Sequence, residues 1–178
     1  MRIPDRVSIH DRPNEVESRD IFGHWEGDSI VGKNHKGGMH TEIERKTRFT
    51  MAIFLKTLEA QETAQVTSQM YRDLPFEAKK STTFDNGKEF TKHKKIGIQT
   101  YFADPYSSWQ RGTNENTNGL IRRYLPKKTD FSKVTQRELD DIIWEINNRP
   151  RKCLGFYTPQ EMFEKELLTI GARIPTRM

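Results

Sequence analysis

The amino-acid sequence predicts an α/β chain, a mixed five-stranded sheet flanked by helices. Three observations carry this. Three short β-forming runs at 21–31, 39–45 and 49–57 follow one another with only brief polar links, as antiparallel strands do. Two further apolar runs, 81–84 and 98–103, are set apart by helical segments in a βαβ-type order. Beyond them apolar residues recur at helical spacing up to about residue 170. At 178 residues the whole is one domain of ordinary size.

Element by element, residues 1–20 read as a polar arm of Arg, Asp, Glu, Pro and Asn with isolated Ile3, Val7, Ile9 and Val16. A core spanning 21–170 follows. Its first links, Gly32-Lys33-Asn34 and Lys46-Thr47, suit hairpins. A helix over 60–74 places Val66, Met70 and Leu74 on one face and ends at Pro75. Asn86-Gly87 cuts off the fourth strand, and a short helix leads to the fifth. Thr135 and Glu138 form a capping box ahead of Leu139, Ile142, Ile143 and Ile146, and that helix stops near Asn148, before Pro150. Thr158, Pro159 and Glu161 open another. Residues 171–178 form a basic tail.

Composition narrows the class. The longest apolar run, 51–55, is far too short to span a bilayer, and the single Cys153 excludes a disulfide framework or a multi-cysteine zinc site. Both point to a soluble protein of a reducing compartment. Charge is uneven: residues 1–78 hold 11 basic and 13 acidic groups, whereas 111–178 hold 13 and 9. The C-terminal part therefore suits a polyanionic partner, with a solvated lysine surface as the alternative.

Three acids stand where catalysis would use them. Asp28 interrupts an otherwise apolar strand, where a carboxylate is costly without a partner or a rim position. Asp85 ends the fourth strand in Thr83-Phe84-Asp85-Asn86-Gly87. Glu115 opens a two-faced helix, with Asn118 and Arg122 on its own side and Leu120, Ile121, Tyr124 and Leu125 on the other. Three convergent carboxylates can hold two Mg²⁺ ions for in-line phosphoryl transfer. Singly, each acid also reads as a turn or helix-start residue.

The wording around the acids is more specific. Gly23-His24-Trp25-Glu26-Gly27-Asp28, then Phe84-Asp85-Asn86-Gly87-Lys88-Glu89-Phe90, then the run from Tyr101 through Pro105-Tyr106-Ser107-Ser108-Trp109-Gln110-Arg111-Gly112-Thr113-Asn114-Glu115-Asn116 resembles the catalytic domain of DDE transposases of the insertion sequence 30 family. Arg122-Arg123-Tyr124-Leu125-Pro126-Lys127 and Asn147-Asn148-Arg149-Pro150-Arg151-Lys152-Cys153-Leu154-Gly155 are similar to that family too. The resemblance covers residues 19–165. It implies a ribonuclease-H-like, retroviral-integrase-like fold and metal-dependent cutting and joining of DNA. Asp28, Asp85 and Glu115 then match the three catalytic, metal-binding acids, with two Mg²⁺ or Mn²⁺ ions as cofactors. The implied partners are transposon ends, target DNA and further copies of the chain, in the bacterial cytoplasm at the nucleoid and with no membrane. Trp109, Arg111, Asn114, Asn118, Arg122, Arg123, Lys127 and Lys128 would contact DNA.

Two departures stand out. Twenty-nine residues, Asn86 to Asn114, separate Asp85 from Glu115, a few fewer than is usual in the family, and the residues ahead of the core are not expected to form the helix-turn-helix that family members usually carry there. They motivate a second reading, an inactive remnant that binds DNA or transposase subunits, and a third is a stand-alone metal nuclease of the same fold. Several residues carry smaller expectations. Tyr106 and Trp109 either stack on a splayed base or pack on the sheet edge, with packing favoured. Glu26 shares the face of Asp28, and Glu89 and Asp104 are reserve acids. His24, His35, His40 and His93 lack metal-ligand spacing, and Cys153 reads as a buried apolar residue. The pairs Lys79-Lys80, Lys94-Lys95, Arg122-Arg123 and Lys127-Lys128 suit phosphates.

Overall fold

The first three strands, β1 (His24–Val31), β2 (Gly38–Glu44) and β3 (Thr50–Leu55), form an antiparallel meander. Strands β4 (Ser81–Phe84) and β5 (Gln99–Phe102) run parallel to β1, which gives one mixed sheet in the order β3-β2-β1-β4-β5. Four helices flank it: α1 (Ala60–Tyr71), α2 (Gly112–Tyr124), α3 (Gln136–Asn147) and α4 (Pro159–Thr169). This is the expected ribonuclease-H-like α/β arrangement. The computed structural model describes residues 3–35 and 37–173, so residues 174–178 of the basic tail and the first two of the arm lie outside the described residues. No helix among the described residues is long and apolar enough to cross a membrane.

Strand alternation divides the core into two layers. Trp25 and Met51 pack on one face with Phe22, Phe49, Tyr71, Phe84, Phe163 and Leu167. Ile30, Met39 and Ala52 pack on the other with Ile121, Leu139, Ile143 and Ile146. Phe163 of α4 stacks on Phe49 at a centroid distance of 4.2 Å and meets Phe22 and Trp25 edge-on. Helix α3 begins at the expected capping box, Thr135–Glu138, and α4 at the expected cap Thr158, which with Glu161 also forms a capping box.

Three expectations are corrected. The helix α1 ends at Tyr71, not 74, and buries Thr63, Ala64, Thr67 and Tyr71 while Val66 and Met70 stay half-buried. Small residues on the sheet side let α1 approach closely, and its Tyr71 hydroxyl reaches a buried carboxylate on β2. Between β4 and β5 the chain makes two 3₁₀ turns, Lys88–Phe90 and His93–Ile96, in place of a short helix. The polar arm is packed. Ile3, Ile9, Arg12 and Val16 are buried, Phe102 N–H donates to Val7 O, and Ser8 bridges Phe102 in parallel, so the arm lies along β5. On the opposite side, Asn147 of α3 bonds both the N–H and the carbonyl of Thr50, and Gln136 accepts from Phe54 N–H and donates to Ala52 O.

Fully buried Glu44 accepts from Gly23 N–H and from the N–H and hydroxyl of Thr47. Burial nevertheless pushes its carboxyl from the ordinary 4.5 up to about 7. A carboxyl with a raised folded pKa binds its proton more tightly in the native state, so its contribution to stability falls as pH rises from about 4.5 to about 7. The unfolding free energy of the wild type minus that of Glu44→Gln is expected to fall across that window and to level off above it. Urea unfolding at a series of pH values measures this, and a flat difference refutes it.

Candidate active site

The parallel register of β1 and β4 pairs Trp25 with Thr82 and Glu26 with Thr83. Two residues further on, Asp28 comes level with Asp85, which directly follows β4. The two carboxylates thus share the end of the sheet where parallel strands finish, the usual place for a site in such sheets. Each has its own orienting group. Asn118 Nδ2 of α2 donates to Asp28 Oδ2 at 2.7 Å, and Gly87 N–H donates to Asp85 Oδ1 at 2.8 Å. The Arg111 guanidinium lies between them, Nη1 at 3.5 Å from Asp28 Oδ1 and Nη2 at 3.5 Å from Asp85 Oδ2. Its Nη1 also donates to Gly27 O at 3.1 Å.

The Asp28 side chain is only 23% exposed. Burial raises its pKa; Arg111 opposes that shift and the Asp85 charge adds to it. Glu89 lies within the field of the same pair, its pKa raised by burial and then by Asp85 and Asp28. A Cβ at Gly87 would stand 2.5 Å from the Glu89 carboxylate, the movable end of a flexible side chain. Glu26, two residues before Asp28 and fully buried, accepts from Asn114 N–H at 2.9 Å. A carboxylate at the first turn of α2 is favoured by the helix dipole, and it ties that helix to β1.

The structure therefore brings together Asp28, Asp85, Asn118 and Arg111, with Glu89 close by. Glu115 sits on the same helix three residues before Asn118, but on its exposed flank. Among the described residues, no three His, Cys, Asp or Glu side chains stand close enough to share one ion. Two hard carboxylates that already face a common cation nonetheless suit a hard divalent ion such as Mg²⁺ or Mn²⁺.

The expected nucleic-acid contacts divide. Trp109 is 72% exposed and Tyr106 fully so, which corrects the expectation that they pack on the sheet edge. Tyr106 takes a left-handed backbone (φ 60°), which helps turn the 3₁₀ segment Ser108–Arg111 outward. Arg123 in the last turn of α2 and Lys127 and Lys128 beyond it are exposed, as are Lys94 and Lys95 in the turn before β5, whereas Lys79 and Lys80 are half-buried. Asn114 is buried and cannot reach a strand, a correction that follows from its position facing β1. Arg122, half-buried, directs its guanidinium to the carbonyls of Val31, Leu125 and Pro126.

His24, His40 and His93 are buried and partnered by Ser81, Glu42 and Thr100 respectively; burial lowers the His24 pKa to about 4. Asp104 bonds His10 and Gln110 away from the acid pair. Cys153 is exposed, not buried, because it lies on the 3₁₀ turn Lys152–Leu154 ahead of a left-handed Gly155. The place of Arg111 between two acids had no signal in spacing, because it depends on how α2 crosses β1 and β4.

No protein-family model matches the chain. It is 42% identical over 169 residues to the transposase of insertion sequence element IS30A of Escherichia coli K12, covering 93% of this chain and 44% of that protein. It is 46% identical over 167 residues to the transposase of IS4351 of Bacteroides fragilis, with 92% and 51% covered. The transposase of IS1086 of Cupriavidus metallidurans is 39% identical over 180 residues, with 99% and 53% covered. The chain spans about half the length of these curated relatives. Across that shared stretch, which includes both aspartates, Asn118 and Arg111, the chain belongs to the IS30 family of insertion-sequence transposases.

Proposed function

We propose that the protein is the metal-dependent catalytic core of a DDE-type transposase, which cleaves transposon ends and joins the freed 3′-hydroxyls to target DNA. The observation that carries this reading is the convergence of Asp28 and Asp85 at the ends of two adjacent parallel strands. Asp28, Asp85 and Glu115 would hold two Mg²⁺ or Mn²⁺ ions. When bound, such ions activate a water or a 3′-hydroxyl and neutralise charge on the leaving oxygen. The chain's own part is positioning. Asn118 fixes the carboxylate plane of Asp28, Gly87 N–H fixes Asp85, and Glu26 holds the start of α2 against β1. Trp109 and Tyr106 offer exposed aromatic faces beside the acids for an unstacked base. Arg123, Lys127 and Lys128 would meet the phosphate backbone. Paired ends and a target call for more than one copy on the DNA, in the bacterial nucleoid.

A second reading, a non-catalytic remnant that binds DNA or transposase subunits, rests on the exposed flank position of Glu115. A Mn²⁺ titration at constant ionic strength, wild type beside Asp85→Asn, separates the two. Binding of about two ions, lost or halved in the variant, is the expected result. No binding by a folded wild-type chain overturns the catalytic reading in favour of the second.

A further inference from the structure

The two acids are already neutralised in part, by a side chain of the protein itself. Arg111 reaches both, but it makes neither of the 2.7–2.9 Å charge-assisted hydrogen bonds, roughly, that a tight guanidinium–carboxylate fork forms. Both ion pairs stand at 3.5 Å, the guanidinium donates to Gly27 O, and its buried Nε has no partner among the described residues. It is near enough to cancel charge, and no short hydrogen bond ties it to either carboxylate. Its side chain is 11% exposed, and the segment that carries it, Ser108–Arg111, is held by Gln110, whose amide bonds both the N–H and the carboxylate of Asp104, while Trp109 and the neighbouring Tyr106 point into solvent.

We propose that Arg111 is the resident counter-ion of the Asp28–Asp85 pair, that it occupies the place a divalent ion needs, and that ion entry requires its guanidinium to leave. This inference rests on the metal-dependent reading above. Charge supports the exchange. Two carboxylates with one guanidinium sum to −1, and with one divalent ion in its stead to zero. Guanidinium and ion together between the same oxygens would place like charges within a few ångströms of each other, at a cost that a partly buried site does not screen. The released guanidinium stays on the rim beside Trp109, where a planar fork suits a phosphate.

The test is binding, not turnover. Wild type and Arg111→Gln are titrated with MnCl₂ by calorimetry at constant ionic strength, and both are melted in EDTA and in Mn²⁺. Arg111→Gln is expected to bind Mn²⁺ about tenfold more tightly, the size of effect one partly buried ion pair can exert. It is also expected to melt below wild type in EDTA and to gain more from Mn²⁺. Equal or weaker Mn²⁺ binding by a folded Arg111→Gln overturns the proposal while leaving the metal reading intact. Absence of binding in both proteins overturns the metal reading and this inference with it. If Arg111→Gln does not fold, Arg111→Lys takes its place, since a single ammonium cannot face both carboxylates; a smaller gain supports the exchange and none refutes it.

Discussion

Asp28→Asn is expected to abolish Mn²⁺-dependent DNA strand cleavage, a loss of at least about 10³-fold, while the chain remains folded. The carboxylate is the only group that β1 contributes to the pair facing Arg111, and a neutral amide neither carries charge to an ion nor replaces a ligand oxygen at equal strength. Folding should be spared. The amide oxygen of the variant can still accept from Asn118 Nδ2, and the position no longer buries an acid whose pKa burial raises. The melting temperature at neutral pH is therefore expected to stay level or rise. Cleavage measured on a labelled duplex in Mn²⁺, beside a thermal melt, checks both halves. Retained cleavage removes Asp28 from the catalytic set; a collapsed melt would make it a structural acid.

The second large effect lies in the core. Glu42 is fully buried on β2 and accepts from the Tyr71 hydroxyl of α1 at 2.7 Å and the Thr82 hydroxyl of β4 at 2.8 Å, with His40 Nε2 at 2.9 Å. It joins the meander to β4 and α1 through one carboxylate. Gly27 makes room for it, since a Cβ there would stand 2.6 Å from Glu42 Oε1 and 2.3 Å from the Phe84 ring. Glu42→Ala strands several buried polar groups and leaves a cavity, at an expected cost of about 3–5 kcal/mol and a fall in Tm on the order of 10 °C. Glu42→Gln keeps one acceptor and should lose roughly 1–2 kcal/mol. Urea unfolding of the three proteins measures this, and an Ala variant as stable as wild type would show the network to be dispensable.

What could be read in the sequence was what is encoded locally. The strands lie within three residues of their expected bounds, and the caps of α3 and α4 sit on the expected threonines, because capping and alternation are short-range rules. Tertiary choices were not legible. The arm's Ile3, Ile9 and Val16 carry no period, so nothing in their spacing announced that they are buried or that Val7 and Ser8 lie along β5. The face of α1 was misplaced because Thr63 and Thr67 lie inward while the larger Val66 and Met70 are half-buried. Glu42 and Glu44 look like the solvent side of an alternating strand, yet both are buried, a reversal made tolerable by the hydroxyls of Tyr71, Thr82 and Thr47, the N–H groups of Gly23 and Thr47, and His40. Asp28 and Asp85 could be paired from the motifs; the guanidinium between them could not.

The amides of Gln136 and Asn147 along β3, and the arm along β5, have a consequence for assembly. An open sheet ordinarily offers two rows of free backbone groups to any chain able to add a strand. Here side chains of α3 take up the N–H and carbonyl of Thr50, the carbonyl of Ala52 and the N–H of Phe54 on one edge, and on the other Val7 and Ser8 of the arm lie against Phe102. Strand exchange between copies, and the runaway stacking that follows from it, would first have to strip away those partners. Under the proposed function, any contact between copies would then fall to helix and loop surfaces rather than to the two edges of the sheet.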